Sequence, residues 1–114
     1  MSGTISTHVL DVAHGHPAVG VPVRLEVLDP TAGWRIVAER VTDADGRVQD
    51  LAGEHAVLTA SYRLAFRTGE YFEQMGIDAF HPEVVVSFRV ADMTQHHHVP
   101  LLVSPYGYTT YRGS

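Results

Sequence analysis

The sequence has no cysteine, which excludes disulfide staples, thiolate nucleophiles and cysteine-ligated zinc together, and fits a reducing compartment. It has no basic excess either: Lys and Arg number 8 against 13 Asp and Glu, for a formal net charge of −5. A chain without a basic field is not built for nucleic acid or an anionic membrane surface, so neither is expected as a partner. No apolar run approaches the roughly 20 residues of a membrane-spanning helix. The opening MSGTISTHVL lacks the basic start and apolar centre of a signal peptide, and the closing Tyr-Arg-Gly-Ser is not a Ser-Lys-Leu type of address. Repeats, low-complexity segments and interdomain linkers are absent as well. The expectation is one soluble, cytoplasmic domain over residues 1–114, with 45% hydrophobic residues for a modest core and a size that favours oligomers.

What the chain does have is alternation. Ile5 to Leu10, Pro22 to Leu28, Trp34 to Thr42, Leu58 to Phe66, Val84 to Val90, His96 to Val103 and Gly107 to Tyr111 read as strands, with Leu51 to Val57 a short strand or loop. Turn chemistry separates them: His14-Gly15-His16-Pro17, Asp29-Pro30-Thr31-Ala32-Gly33 and Asp43-Ala44-Asp45-Gly46, with hairpins expected at the last of these and at Ala91 to Thr94. A calcium loop at Asp43 to Gly46 is rejected, because Ala52 stands where the closing glutamate would be. Thr68 to Met75 is the single helical stretch, with Thr68 as N-cap and Gly76 as stop. About eight regularly spaced strands without a βαβ rhythm predict an all-β sandwich with one short helix.

Histidine is the abundant chemistry, with 8 in the chain. Period 2 puts His96 and His98 on one face of their strand with Pro100 and Leu102, and puts His97 inward with Val99, Leu101 and Val103 as a packed core residue. On the first strand Ser6, His8 and Leu10 face out while Ile5, Thr7 and Val9 face the core. A lone exposed histidine is most often only a surface residue. Three on open strand faces, His8, His96 and His98, form a candidate site for proton exchange near neutral pH, and Arg47 beyond Gly46 offers a guanidinium to a carbonyl or oxyanion. A three-histidine zinc site is the competing reading, since His-x-His on a strand presents two nitrogens on one side. His14, His16, His55 and His81 fall in turns and read as bland.

Ser6-Thr7-His8-Val9-Leu10-Asp11, Asp45-Gly46-Arg47, His96-His97-His98-Val99-Pro100-Leu101-Leu102 and Tyr111-Arg112-Gly113-Ser114 together resemble the 5-hydroxyisourate hydrolases, the transthyretin-related enzymes of urate breakdown. The resemblance spans nearly the whole chain. It implies a transthyretin-like sandwich of two four-stranded antiparallel sheets, assembled as a homotetramer, a dimer of dimers with its sites at the dimer-dimer interface. By motif match it implies His8, Arg47 and His98 as catalytic residues, and His8, Arg47, His96, Tyr111 and Ser114 as substrate-binding residues. It implies 5-hydroxyisourate as the small-molecule substrate, hydrolysed in purine degradation by histidine-activated water, with no cofactor and no metal. The alternatives are a transthyretin-like small-ligand carrier and a zinc-dependent hydrolase. One departure is visible: relatives usually carry tyrosine where this chain has His97, and its inward parity predicts a change of packing rather than of chemistry.

Overall fold

The computed structural model describes residues 3–114. Its elements are β1 (Ile5–Asp11), β2 (His16–Pro17), β3 (Pro22–Asp29), β4 (Gly33–Val41), β5 (Arg47–Val48), β6 (Ala60–Phe66), α1 (Thr68–Glu73), β7 (Val84–Val90), β8 (His97–Ser104) and β9 (Gly107–Thr110). They form two sheets and one short helix, the all-β sandwich that the strand spacing predicts. One sheet runs β2-β1-β8-β9, with β5 pairing onto β1, and the other runs β4-β3-β6-β7. Inward residues of both sheets make the core: Ile5, Val9, Leu101 and Val103 from the first and Leu25, Leu64, Phe66 and Val84 from the second, all buried. Alternating β-branched and aromatic side chains fit a pleated, half-buried surface, and this places the sheets. No helix among the described residues is long and apolar enough to cross a membrane.

Several local expectations are corrected. The first sheet is five-stranded and not wholly antiparallel, because β1 and β8 run parallel with Ser6 opposite His98 and His8 opposite Pro100. The turns at Asp43 to Gly46 and Ala91 to Thr94 do not close hairpins: β4 leads to β5 and β7 to β8 across the two sheets. Residues 51–57 carry no strand, His16-Pro17 is a two-residue strand rather than only a turn, and Leu58 is exposed ahead of β6. Thr68 is not the N-cap. Arg67 holds that position without a side-chain cap, while Thr68 is buried and the Gly69 amide donates to the Pro82 carbonyl at 3.1 Å.

On the outer face of the second sheet Glu26 is buried although its parity points outward. Arg24 lies 2.5 Å and Arg63 2.7 Å from its carboxylate, and the Arg63 guanidinium also sits over the Trp34 ring. Long arginine stems cover the acid that their heads neutralise. Burial pushes the Glu26 carboxyl up, but the two arginines outweigh it and hold the group below its ordinary value. Glu26→Ala is expected to cost about 3 kcal/mol, near the lower end for breaking a buried pair, because both guanidiniums keep partial contact with water. In the wild type this contribution is present above the unfolded carboxyl value of about 4.3 and is lost as pH falls through the lower native value. Urea melts of both proteins at neutral and acid pH check the magnitude and the sign; an alanine variant as stable as wild type at neutral pH would refute the assignment.

Candidate functional site

The site is assembled by the parallel pairing of β1 with β8. That register sets Ser6 beside His98, and β5 lays Arg47 opposite His8 on the other edge of β1. Arg47 is positioned by the turn before it. The Asp43 carboxylate accepts the Asp45 and Arg47 amides at 2.9 and 3.0 Å, and Gly46, at φ +75, brings the backbone against β1, where the Val9 amide donates to the Gly46 carbonyl at 2.7 Å. A Cβ on Gly46 would stand 2.5 Å from the Val9 carbonyl oxygen, so the close approach needs glycine.

Ser6, Arg47, Gln49, His96, His98 and Ser114 line one cleft of about 370 Å³. A larger cavity of about 640 Å³ beside α1, lined by Arg67, Glu70 and Glu83 among others, holds none of the candidate residues. The cleft unites four of the six residues singled out from the sequence: Arg47, His96, His98 and Ser114. His8 shares the outward face of β1, but its Nε2 donates to the Asp45 carbonyl at 2.9 Å, which ties the ring to the turn. Tyr111 is exposed and lines a neighbouring hollow with His98, Thr110 and Arg112.

The backbone near Ser114 is pinned. The Gly113 amide donates to the His98 carbonyl at 2.8 Å, and Gly113 packs against the His98 ring and Pro100. This contact explains why Pro100, outward by parity, is buried.

Ser6 was not among the candidates, and the structure puts it at the centre. Its hydroxyl lies 3.0 Å from His96 Nε2 and 2.7 Å from His98 Nδ1, beneath two imidazoles stacked at 6.2 Å. Those rings bury it, although its parity is outward. Thr4 bonds His96 Nδ1, so one chain runs Thr4, His96, Ser6, His98. A hydroxyl has a single proton to donate, so the chain has a sense. When His98 Nδ1–H donates to Ser6, Ser6 donates to His96 Nε2 and His96 Nδ1–H donates to Thr4, leaving His98 Nε2 unprotonated at the cleft. Burial lowers the His98 pKa, and His96, Arg47 and His8 lower it further, so the ring is neutral near pH 7 and available to accept a proton. The inward His97 is buried as its parity predicts, with Nδ1 donating to the Gln95 carbonyl at 3.1 Å; burial and then the Arg112 charge lower its pKa.

These bonds bear on the zinc reading. Both nitrogens of His96 are engaged by hydroxyls and His8 Nε2 by a carbonyl. The three imidazoles do not converge: among the described residues only Asp11, His14 and His16 bring three such donor atoms within 4.8 Å of one another.

Residues 5–113 match the HIUase/Transthyretin family. The chain belongs to that family. It is 49% identical to a 5-hydroxyisourate hydrolase of Caulobacter vibrioides over 119 aligned positions that cover all of both chains. Among solved structures, the Klebsiella pneumoniae 5-hydroxyisourate hydrolase is similar at a TM-score of 0.86 with 33% identity, over 98% of this chain and 99% of that one. Sea bream transthyretin in complex with thyroxine is similar at a TM-score of 0.90 with 31% identity, over 96% of this chain and 94% of that one. The transthyretin-like fold implied by the sequence motifs is therefore the observed one.

If Ser6 sets the His98 tautomer, Ser6→Ala should lower kcat about tenfold with little change in KM. Nitrogen-15 shifts of the His98 ring should show one neutral tautomer in wild type and a mixture in the variant. An unchanged tautomer would mean that Ser6 only fills space.

Proposed function

We propose that this chain hydrolyses 5-hydroxyisourate to 2-oxo-4-hydroxy-4-carboxy-5-ureidoimidazoline. The observation that carries the reading is the Ser6-bridged His96 and His98 facing Arg47 and Ser114 in one cleft, in a chain 49% identical to a hydrolase of that name. Fold similarity alone does not separate hydrolase from carrier, since the thyroxine-bound relative has the higher TM-score. The cleft lining does: a guanidinium, an amide, two imidazoles and two hydroxyls suit a small polar heterocycle better than a large apolar hormone.

In the reaction, His98 Nε2 takes a proton from water as the oxygen attacks the ring amide carbonyl. Arg47 holds the carbonyl oxygen and stabilises the negative charge that develops there, a preorganised electrostatic role. The ring C–N bond then breaks, the carbonyl carbon becomes a carboxylate, and the departing nitrogen receives the proton from His98. His96 and Ser6 orient the base: His98 Nδ1–H donates to Ser6 before and after Nε2 takes the proton, so the imidazolium keeps the same hydrogen bond. His8 contributes from beside Arg47, Ser114 closes the cleft, and Tyr111 covers it from the neighbouring hollow. No step calls for a cofactor or a metal.

We further infer one domain over residues 1–114, working in the cytoplasm as a homotetramer whose dimer-dimer interface encloses the cleft. Leu10 and Leu102, paired in register and half-buried on the outward face of the first sheet, and exposed Tyr106 and Tyr108 support an associating surface. The test is a spectrophotometric assay with 5-hydroxyisourate freshly generated by uricase, corrected for spontaneous decay. Acceleration of decay by the purified protein is expected. Saturable binding of the substrate without acceleration would instead establish a carrier.

A further inference from the structure

We propose that Asp11, His14 and His16 form a binding site for a divalent transition metal of the zinc class, at the opposite end of β1 from Ser6 and separate from the hydrolytic cleft. One donor atom from each residue already lies within 4.8 Å of the others. The arrangement is set by backbone pairing, since Asp11 on β1 and His16 on β2 are register partners. Gly15, at φ +76, turns the chain between the two histidines and stacks their rings at 5.7 Å with 20° between planes.

The carboxylate is held like a ligand. Asp11 is buried, its Oδ1 accepts the Ala13 and His14 amides at 3.1 and 3.0 Å, and its Oδ2 accepts the Tyr71 hydroxyl at 2.8 Å. Those three bonds fix its direction, as outer partners orient the ligands of metal sites. The fourth contact, 2.7 Å from Oδ2 to His14 Nδ1, is the exchangeable one. Two tetrahedral ligands of one zinc ion, each about 2.0–2.2 Å from it, stand about 3.4 Å apart, so a metal can replace the shared proton once the pair opens by several tenths of an ångström. His16 Nδ1 donates to the Pro17 carbonyl at 2.9 Å, which fixes the tautomer and frees Nε2 to ligate. Both histidines are exposed, which leaves an entry path and room for water in a fourth position.

Two imidazoles and a carboxylate, without thiolate, suit zinc, nickel or copper(II) and not calcium or copper(I). Bound there, the ion would tie the β1–β2 turn to Asp11 and, through Tyr71, to α1. It would stabilise the fold by mass action without entering the reaction.

The experiment uses chelator-stripped full-length protein dialysed to equilibrium against zinc chloride, with bound metal measured by elemental analysis and affinity by calorimetry. The variants are the pairs His14→Ala with His16→Ala and His96→Ala with His98→Ala; Asp11 is left intact because it organises the turn. The cleft pair should keep one zinc per chain and a zinc-dependent rise in Tm. The turn pair should keep its fold and its hydrolysis of 5-hydroxyisourate but bind that zinc about tenfold or more weakly. Equal zinc binding by the turn pair and wild type, or no zinc on the cleft pair, would overturn the proposal.

Discussion

His98→Ala is expected to lower kcat/KM for 5-hydroxyisourate by about 10² to 10⁴, the usual contribution of a general base. The fold should survive, because His98 lies on the outward face of β8, where its ring meets Ser6, His96 and Gly113 instead of the core. The wild-type acid limb should carry the same signature. Burial, and beyond it His96, Arg47 and His8, lower the His98 pKa, so kcat/KM should rise as pH climbs through a value below the ordinary histidine value of about 6.5 and stay level through neutrality. His8→Ala should cost less, since the His8 Nε2 proton is given to the Asp45 carbonyl and that nitrogen is not free to take one from water. Steady-state assays from pH 5 to 8 on the three proteins check the ranking, and wild-type turnover by His98→Ala would remove His98 from the mechanism.

A change at a residue with no side chain should be nearly as damaging. A Cβ added at Gly113 would sit 2.5 Å from His98 Cδ2 and 3.2 Å from Pro100 Cγ. The backbone cannot easily retreat, because the Gly113 amide is bonded to the His98 carbonyl. The imidazole must therefore turn out of line with Ser6, and displacements of this size cost about 10² in rate. Gly113→Ala should lose kcat by about that factor while its Tm stays within a few degrees of wild type, because the clash lies outside the core. Full activity, with the His98 ring unmoved in a crystal structure of the variant, would show that this segment yields and does not hold the ring.

Period 2 made most of the architecture legible. It separated inward Ile5, Val9, Val99 and Leu101 from outward residues, and it told His97 from its two neighbours. Turn chemistry was less informative, since Ala91 to Thr94 signals a reversal without saying which sheet receives the next strand. The parallel β1–β8 pair joins segments far apart in sequence, and no local pattern encodes that choice. Once the pair is unknown, Ser6 is invisible: a serine between β-branched residues announces nothing until two imidazoles are laid on it. The burial of Glu26 is hidden for a related reason, because its cover comes from Arg24 on its own strand and Arg63 on the neighbouring β6. His14 and His16 read as ordinary turn residues, since the β1–β2 pairing that sets Asp11 opposite His16 leaves no local signature.

The pairing of β1 with β8 also sets when the protein can begin to work. Ser6 and His98 are separated by 92 positions, so the entropy of closing that span is spent before their contact gives anything back. Pairings of such high contact order form slowly. On the ribosome, β1 emerges long before β8 and must wait with its β8 edge unpaired, an aggregation-prone state that β2 and β5 do not relieve because they pair along the opposite edge. Catalytic competence should thus appear as one of the last events of folding, behind assembly of the β4-β3-β6-β7 sheet, whose strands meet their neighbours over far shorter spans.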